Sequence, residues 1–388
     1  MSDRCDVVVV GLGAMGSATT LQLARAGARV IGIDASSPPN PEGSSHGETR
    51  ITRLAVGEGP PFVPLVARSH ELWRQFEQEQ DETLFVQCGG LILGRLRSSG
   101  QHGVANFVAA TIEVARANGI VHEVLTASEI ATRFGVFDVT DEIGYFEATA
   151  GYLRAPACVR AQLALARRAG ATLRLNEQVV GWTSSGDGVE VVTDSGQVSA
   201  GAMVLAAGAW LPELAPELAR VLSVQRQVQY WFDIDRDAQD FEALPIFIWM
   251  HGVEEGQYVY GFPATDGAHG GVKIATEVFG TPTTPRQVGR EVPESEINEM
   301  YAMHVGSRFP GLARRCLRSA VCLYTVTPDF GFVIDRHPAH DNVIVASPCS
   351  GHGFKHSAAV GECVAELALS GSSSIDLSAF RLDRFDWS

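Results

Sequence analysis

The stretch Asp6-Val7-Val8-Val9-Val10-Gly11-Leu12-Gly13-Ala14-Met15-Gly16 joins a β-branched run to three glycines spaced G-x-G-x-x-G. Residues 6–10 read as a strand buried on both faces. A helix is predicted over 14–26, closed by Gly27, and a second strand over 28–33, ending at Asp34. Together they make a complete βαβ unit of about 30 residues. In such a unit Gly11 permits the tight turn, Gly13 lets the backbone approach a pyrophosphate, and Gly16 lets helix and strand pack closely. The helix N-terminus then stabilises phosphate charge. Asp34 is placed to accept ribose hydroxyls and disfavours a 2′-phosphate, hence NADP. The unit alone does not separate FAD from NAD.

The far end of the chain separates them. Val343-Ile344-Val345-Ala346 leads into Ser350-Gly351-His352-Gly353-Phe354-Lys355. A buried strand, a glycine loop and a helix starting near Phe354 place backbone N–H groups where they suit the negative charge of a reduced flavin. A chain that closes on one cofactor from both ends reads as a flavoenzyme rather than a nicotinamide dehydrogenase. Between the ends, helices are predicted over 64–80, 104–118, 127–133 and 156–168, and short strand pairs over 89–94 and near 179–199. A buried strand over 203–210 returns to the nucleotide site. From 218 to 320 the pattern becomes alternating and aromatic, an antiparallel sheet. The fold class is therefore α/β with two interleaved domains. A Rossmann-like FAD-binding domain takes 1–85, 145–217 and 320–388; a substrate domain takes 86–144 and 218–319.

Composition narrows the function. A formal charge of -15 over 388 residues argues against nucleic acid or an anionic membrane as partner. No apolar run has the length of a membrane helix, and residues 1–11 lack the pattern of a signal peptide. Seven cysteines, an odd number without a CxxC pair, fit a reduced cytoplasm and show no metal-ligand spacing.

Four further stretches carry a resemblance: Gly43-Ser44-Ser45-His46-Gly47-Glu48-Thr49-Arg50-Ile51-Thr52-Arg53, Tyr260-Gly261-Phe262-Pro263, Cys322-Leu323-Tyr324-Thr325-Val326-Thr327-Pro328-Asp329, and Ser350 to Lys355. With them the chain resembles, nearly end to end, the monomeric sarcosine oxidase and N-methyltryptophan oxidase family of D-amino acid oxidase-like flavoenzymes. The resemblance implies FAD attached to Cys322 by an 8α-S-cysteinyl thioether. It implies Lys273 as the cation that activates O2, and Arg50 and His46 packed against the flavin. Arg53 and Lys355 would hold the substrate carboxylate, as fixed cations can. Tyr260, Phe262 and Tyr324 would wall the pocket, which suits an amine. Gly351, His352, Gly353, Phe354 and Ser45 join Gly11, Gly13, Gly16 and Asp34 as cofactor contacts.

The chain departs from the family pattern in three places. Glu277 stands where the family carries a pocket histidine; as a substrate-binding residue it would attract a second amino group, the alternative being that the insertion shifts the register and it points away. Ser45 replaces the first of a His-His pair. The interval from Tyr260 to Lys273 is longer by two residues, through Ala268-His269-Gly270. The implied activity is oxidation of a secondary amino acid, N-methyl or cyclic, to an imine with O2 reduced to H2O2, by a monomer. Rivals are a dehydrogenase of the same fold, a D-amino acid oxidase-like enzyme acting on primary amines, and a non-catalytic flavoprotein.

Overall fold

The computed structural model describes residues 3–95 and 97–386. Residues 1, 2, 96, 387 and 388, which fall within the domain ranges given above, lie outside the described residues. The N-terminal unit forms strand β1 (Asp3–Val10), helix α1 (Ala14–Arg25) and strand β2 (Val30–Asp34). β1 lies parallel between β2 and Gln197–Leu205. Thr172–Leu175 extends the sheet beyond β2, and His340–Ser347 pairs in parallel with Met203–Leu205 on the edge of Gln197–Leu205 away from β1. Hairpin partners at Val179–Ser185, Gly188–Thr193 and Val333–His337 complete eight strands.

Two of the three glycines act through close approach. Gly11 has φ +88° and a Cβ there would lie 2.6 Å from the Ala206 carbonyl oxygen. A Cβ on Gly16 would lie 1.7 Å from the Gly11 oxygen, a distance no rotamer relieves. Gly16→Ala is thus expected to destabilise the protein by about 3 kcal/mol or more, through overpacking against backbone. Thermal unfolding together with bound flavin content checks it; a variant that melts with wild type and retains full flavin would refute it. α1 buries its small residues against Ser357–Ser370, where Gly361 leaves no room for a Cβ beside Ala18.

The second eight-stranded sheet runs Leu312–Val326, Ser223–Ile234, Val272–Ala275, Tyr258–Gly261, Ile246–Met250, Gly90–Gly94, Ile143–Glu147, Glu123–Thr126. Its pairings are antiparallel except Ile246–Met250 with Gly90–Gly94, which is parallel. The segment expected as a strand pair at 89–94 is thus one strand, fully buried between two partners. The run from 218 to 320 also contains helical turns at Glu294–Met300 and Tyr301–Val305. The boundaries drawn at 144/145 and 319/320 each fall inside a strand of this sheet. A small third sheet pairs β3 (Thr49–Thr52) and Phe85–Val86 with Gly151–Arg154. β3 matters most to the site, because it carries Arg50 and its Thr49 carbonyl accepts from Lys273 of the second sheet.

Candidate active site

A single cavity of about 680 Å³ runs from the glycine turn to the second sheet. One end is walled by Gly11, Gly13, Asp34, Ser36 and Ser45; the other by Tyr260, Phe262, Tyr324 and Glu277. Arg50, Arg53, Gly351, His352, Gly353, Phe354 and Lys355 line it as well. Gly16, His46, Lys273 and Cys322 stand behind this lining.

At the nucleotide end Asp34 Oδ2 accepts the Leu12 N–H at 2.7 Å, and Oδ1 accepts the Ser36 N–H at 2.9 Å. Burial raises the Asp34 pKa, while these donors oppose the rise. The carboxylate therefore also ties the glycine turn to the end of β2. Ser45 Oγ accepts the Ala14 N–H at 3.1 Å, meeting one of the free donors at the start of α1.

In the middle, Arg50 donates to the carbonyls of Thr49 and Ser44, both at 2.8 Å, and lies 3.7 Å from Cys322 Sγ. Cys322 faces Gln227 across two long strands and is fully buried. Lys273 Nζ donates to the carbonyls of Gly47 at 2.6 Å and Thr49 at 2.9 Å. Its ammonium sits 4.6 Å from the Phe262 ring centre. Burial, and then the nearby Arg50 charge, lowers the Lys273 pKa well below that of an ordinary lysine. His46 is buried, its Nε2 lacks a partner, and burial with the Arg50 charge holds its pKa down at about 4. It is a neutral imidazole at physiological pH.

At the far end the structure brings together charges that the sequence kept apart. Arg53 donates to the Ala55 carbonyl at 2.7 Å and to Glu58 Oε2 at 3.2 Å. Glu58 Oε1 lies 3.1 Å from His102 Nδ1, and His102 Nε2 lies 2.9 Å from Glu277 Oε2. Burial opposes charge on His102, but the two carboxylates that bracket it raise its pKa to about 9. Glu277 falls to about 2, because His102, Tyr258 and Gln101 outweigh its burial. Glu58 is also held ionised, by Arg53, Lys355 and its histidine neighbours against its burial. Lys355 Nζ donates to the His352 carbonyl at 2.8 Å, and burial brings its pKa down to about 8.

Glu58, Gln101, His102 and Tyr258 are site residues that the sequence did not reveal. Glu58 follows Arg53 by five positions, a spacing with no helical or strand logic here. His102 sits in the polar run Ser98-Ser99-Gly100-Gln101-His102-Gly103, which reads only as a loop. This loop brings the His102 imidazole up to Glu277.

A family model described as FAD dependent oxidoreductase matches residues 6–367. The monomeric sarcosine oxidase of Streptomyces avermitilis is 40% identical over 98% of this chain and 97% of its own length. The chain belongs to this family. The N-methyl-L-tryptophan oxidase of Salmonella dublin, another member, is 34% identical over 98% of this chain and 99% of its own. Among solved structures NikD, an amino acid oxidase of nikkomycin biosynthesis, superposes in its open form (a Tyr258Phe mutant) with a TM-score of 0.86 at 24% identity. That match covers 98% of this chain and 97% of NikD, and shows the shared fold. The family is one of FAD-dependent enzymes, and the cavity fits the cofactor. Its glycine turn admits no side chain, and the backbone at Gly353 likewise has none to spare, since a Cβ there would lie 1.6 Å from the Pro348 oxygen. None of the seven cysteines is in a disulfide, and no helix among the described residues is long and apolar enough to cross a membrane.

Proposed function

We propose that the protein, as a cytoplasmic monomer, oxidises a secondary amino acid, N-methylated or cyclic, to its imine and passes the electrons to O2 as H2O2. The observation that carries this reading is the continuity of one cavity from a nucleotide-binding turn to a buried pair of cations, Arg53 and Lys355. The names of the sarcosine and N-methyltryptophan oxidases support the substrate class. Seven cysteines without a disulfide are in keeping with a reducing compartment.

Gly11, Gly13, Ser45 and Asp34 would hold the nucleotide portion, and Arg50 and the Gly351–Lys355 turn the flavin portion. FAD, when bound, supplies acceptance of a hydride equivalent from the carbon beside the amine and return of two electrons to O2. The protein does the rest by orientation and field. Arg53 and Lys355 anchor the carboxylate, which fixes the amine and its α-carbon relative to the aromatic wall of Tyr260, Phe262 and Tyr324. A neutral amine is required, since its lone pair assists loss of the hydride. Lys273, held by two carbonyls, is the preorganised donor for the charge that develops on oxygen.

Cys322 is the attachment point for the cofactor in this reading, with the Arg50 guanidinium 3.7 Å from its sulfur. Acid denaturation of the purified protein should leave the yellow colour on the polypeptide, within the peptide that holds Cys322. Cys322→Ser should release it. Flavin that remains covalent in that variant would point to another cysteine. Peroxide release from N-methyl and cyclic amino acids tests the reaction; none with either class would remove the reading.

Carboxylate affinity should also depend on pH. Lys355 is cationic below about 8 and loses its charge above. A competitive carboxylate that carries no amine should therefore bind progressively more weakly as pH rises through that value. A Kd that is flat from pH 7 to pH 9 would take Lys355 out of the clamp.

A further inference from the structure

The carboxylate of Glu277 is used on one side only. Tyr258 OH donates to Oε2 at 2.5 Å, Gln101 Nε2 donates to it at 3.2 Å, and His102 Nε2 lies 2.9 Å from it. No hydrogen bond among the described residues reaches Oε1. Beside Oε1 stands Gly351, with φ +87°; a Cβ there would lie 2.8 Å from that oxygen, so the missing side chain keeps the space open. Gln101 adds a second, independent signal. Its amide nitrogen is turned to Glu277, which leaves its Oε1 buried with no partner. Both residues line the cavity. Glu277 Oε1 is thus an accessible acceptor without a protein donor, and Gln101 Oε1 beside it is a buried one whose missing hydrogen bond a donor on the substrate would supply once the amide turns to it.

Charge selects the kind of donor. Arg53, Lys355 and His102 are cations, and Glu58 and Glu277 are anions, leaving one positive charge over the cluster. His102 owes its charge to its position between two carboxylates. The substrate carboxylate cancels the surplus, so a second cation on the substrate would unbalance the site, whereas a neutral donor would not.

We infer that Glu277 and Gln101 form a hydroxyl-binding subsite, and that the preferred substrates are secondary amino acids bearing a hydroxylated N-substituent or side chain. This rests on the carboxylate anchoring proposed above and names the substrate class within it.

The test separates binding from turnover. Holoenzyme is titrated with (2-hydroxyethylthio)acetate, (propylthio)acetate and (2-aminoethylthio)acetate. These carboxylates have sulfur in place of the reactive nitrogen, and binding is followed by the flavin absorbance. The hydroxyl compound should bind about tenfold tighter than its propyl analogue, as one hydrogen bond to a charged acceptor gives. It should also bind tighter than the ammonium compound. In Gln101→Leu the advantage over propyl should shrink, and in Glu277→Leu it should vanish. Equal or tighter binding of the propyl compound would overturn the subsite. Tightest binding of the ammonium compound would overturn the choice of a neutral donor. Failure of all three to bind would overturn the anchoring and the inference with it. Turnover of N-(2-hydroxyethyl)glycine against N-propylglycine then reports on the reaction. If neither is oxidised while the binding preference holds, the subsite stands and the proposed reaction falls.

Discussion

Lys273→Met is expected to slow reoxidation by O2 by about a hundredfold or more, and to leave anaerobic reduction by substrate within about threefold of wild type. The asymmetry follows from where the lysine is held. Its Nζ is fixed by the carbonyls of Gly47 and Thr49, one step behind the cavity wall, and touches none of the groups assigned to the carboxylate. It can therefore act on charge that appears in the second half-reaction without contributing to substrate binding. Methionine keeps the length and the packing against Phe262 but removes the donors. Stopped-flow traces of the two half-reactions give the answer. Equal losses in both would take Lys273 out of the oxygen step.

Arg53→Leu has the second large effect, and it should appear in two separate measurements. Glu58 is buried and ionised, and Arg53 is its direct guanidinium partner. Removing one side of a buried ion pair strands the other, which costs about 3–5 kcal/mol. His102 and Lys355 share the Glu58 charge, so the loss of stability is expected at the lower end of that range. Substrate affinity should fall as well, because half of the carboxylate clamp is gone. The double variant Arg53→Leu, Glu58→Gln separates the two effects. It should regain most of the thermal stability while KM stays high. Recovery of both together would mean that Arg53 acts only by holding Glu58.

The charge network also shapes stability against pH. His102 is raised from an ordinary 6.5 to about 9, so its contribution is complete below 6.5 and is lost as pH rises through about 9. Glu277 is lowered from 4.5 to about 2, so its contribution is complete above 4.5 and is lost as pH falls through about 2. These two contributions are therefore both complete between pH 4.5 and 6.5. A melting temperature that rises from pH 7 to pH 9 would contradict this.

The sequence was most legible where local geometry has few solutions. A β-branched run, three glycines and an acid two strand-lengths on admit one arrangement, and β1, α1 and β2 lie within a few residues of the expected bounds. Arg53 and Lys355 could be named from their motifs, and they do meet in one cavity. Tyr260, Phe262, Tyr324 and Glu277, also named in advance, line the same cavity, but the chain gave no sign that Glu58 and His102 would join them. Glu58, His102 and Glu277 come from three separate segments, and nothing periodic links them. Their association is a product of the second sheet, whose strand order places Gly90–Gly94 and the loop after it beside strands from the later half of the chain. The parallel pairing of Gly90–Gly94 was likewise invisible, since a short apolar run does not announce its partner.

The cavity draws its walls from Val10 at one extreme and Lys355 at the other. No early portion of the nascent chain contains enough of them to retain a cofactor, so assembly of the site has to await nearly the whole polypeptide. Closing such distant contacts carries a large entropic cost and makes folding slow. A supply of flavin during maturation would then act as a folding ligand, drawing the last segments together and selecting chains that have closed correctly.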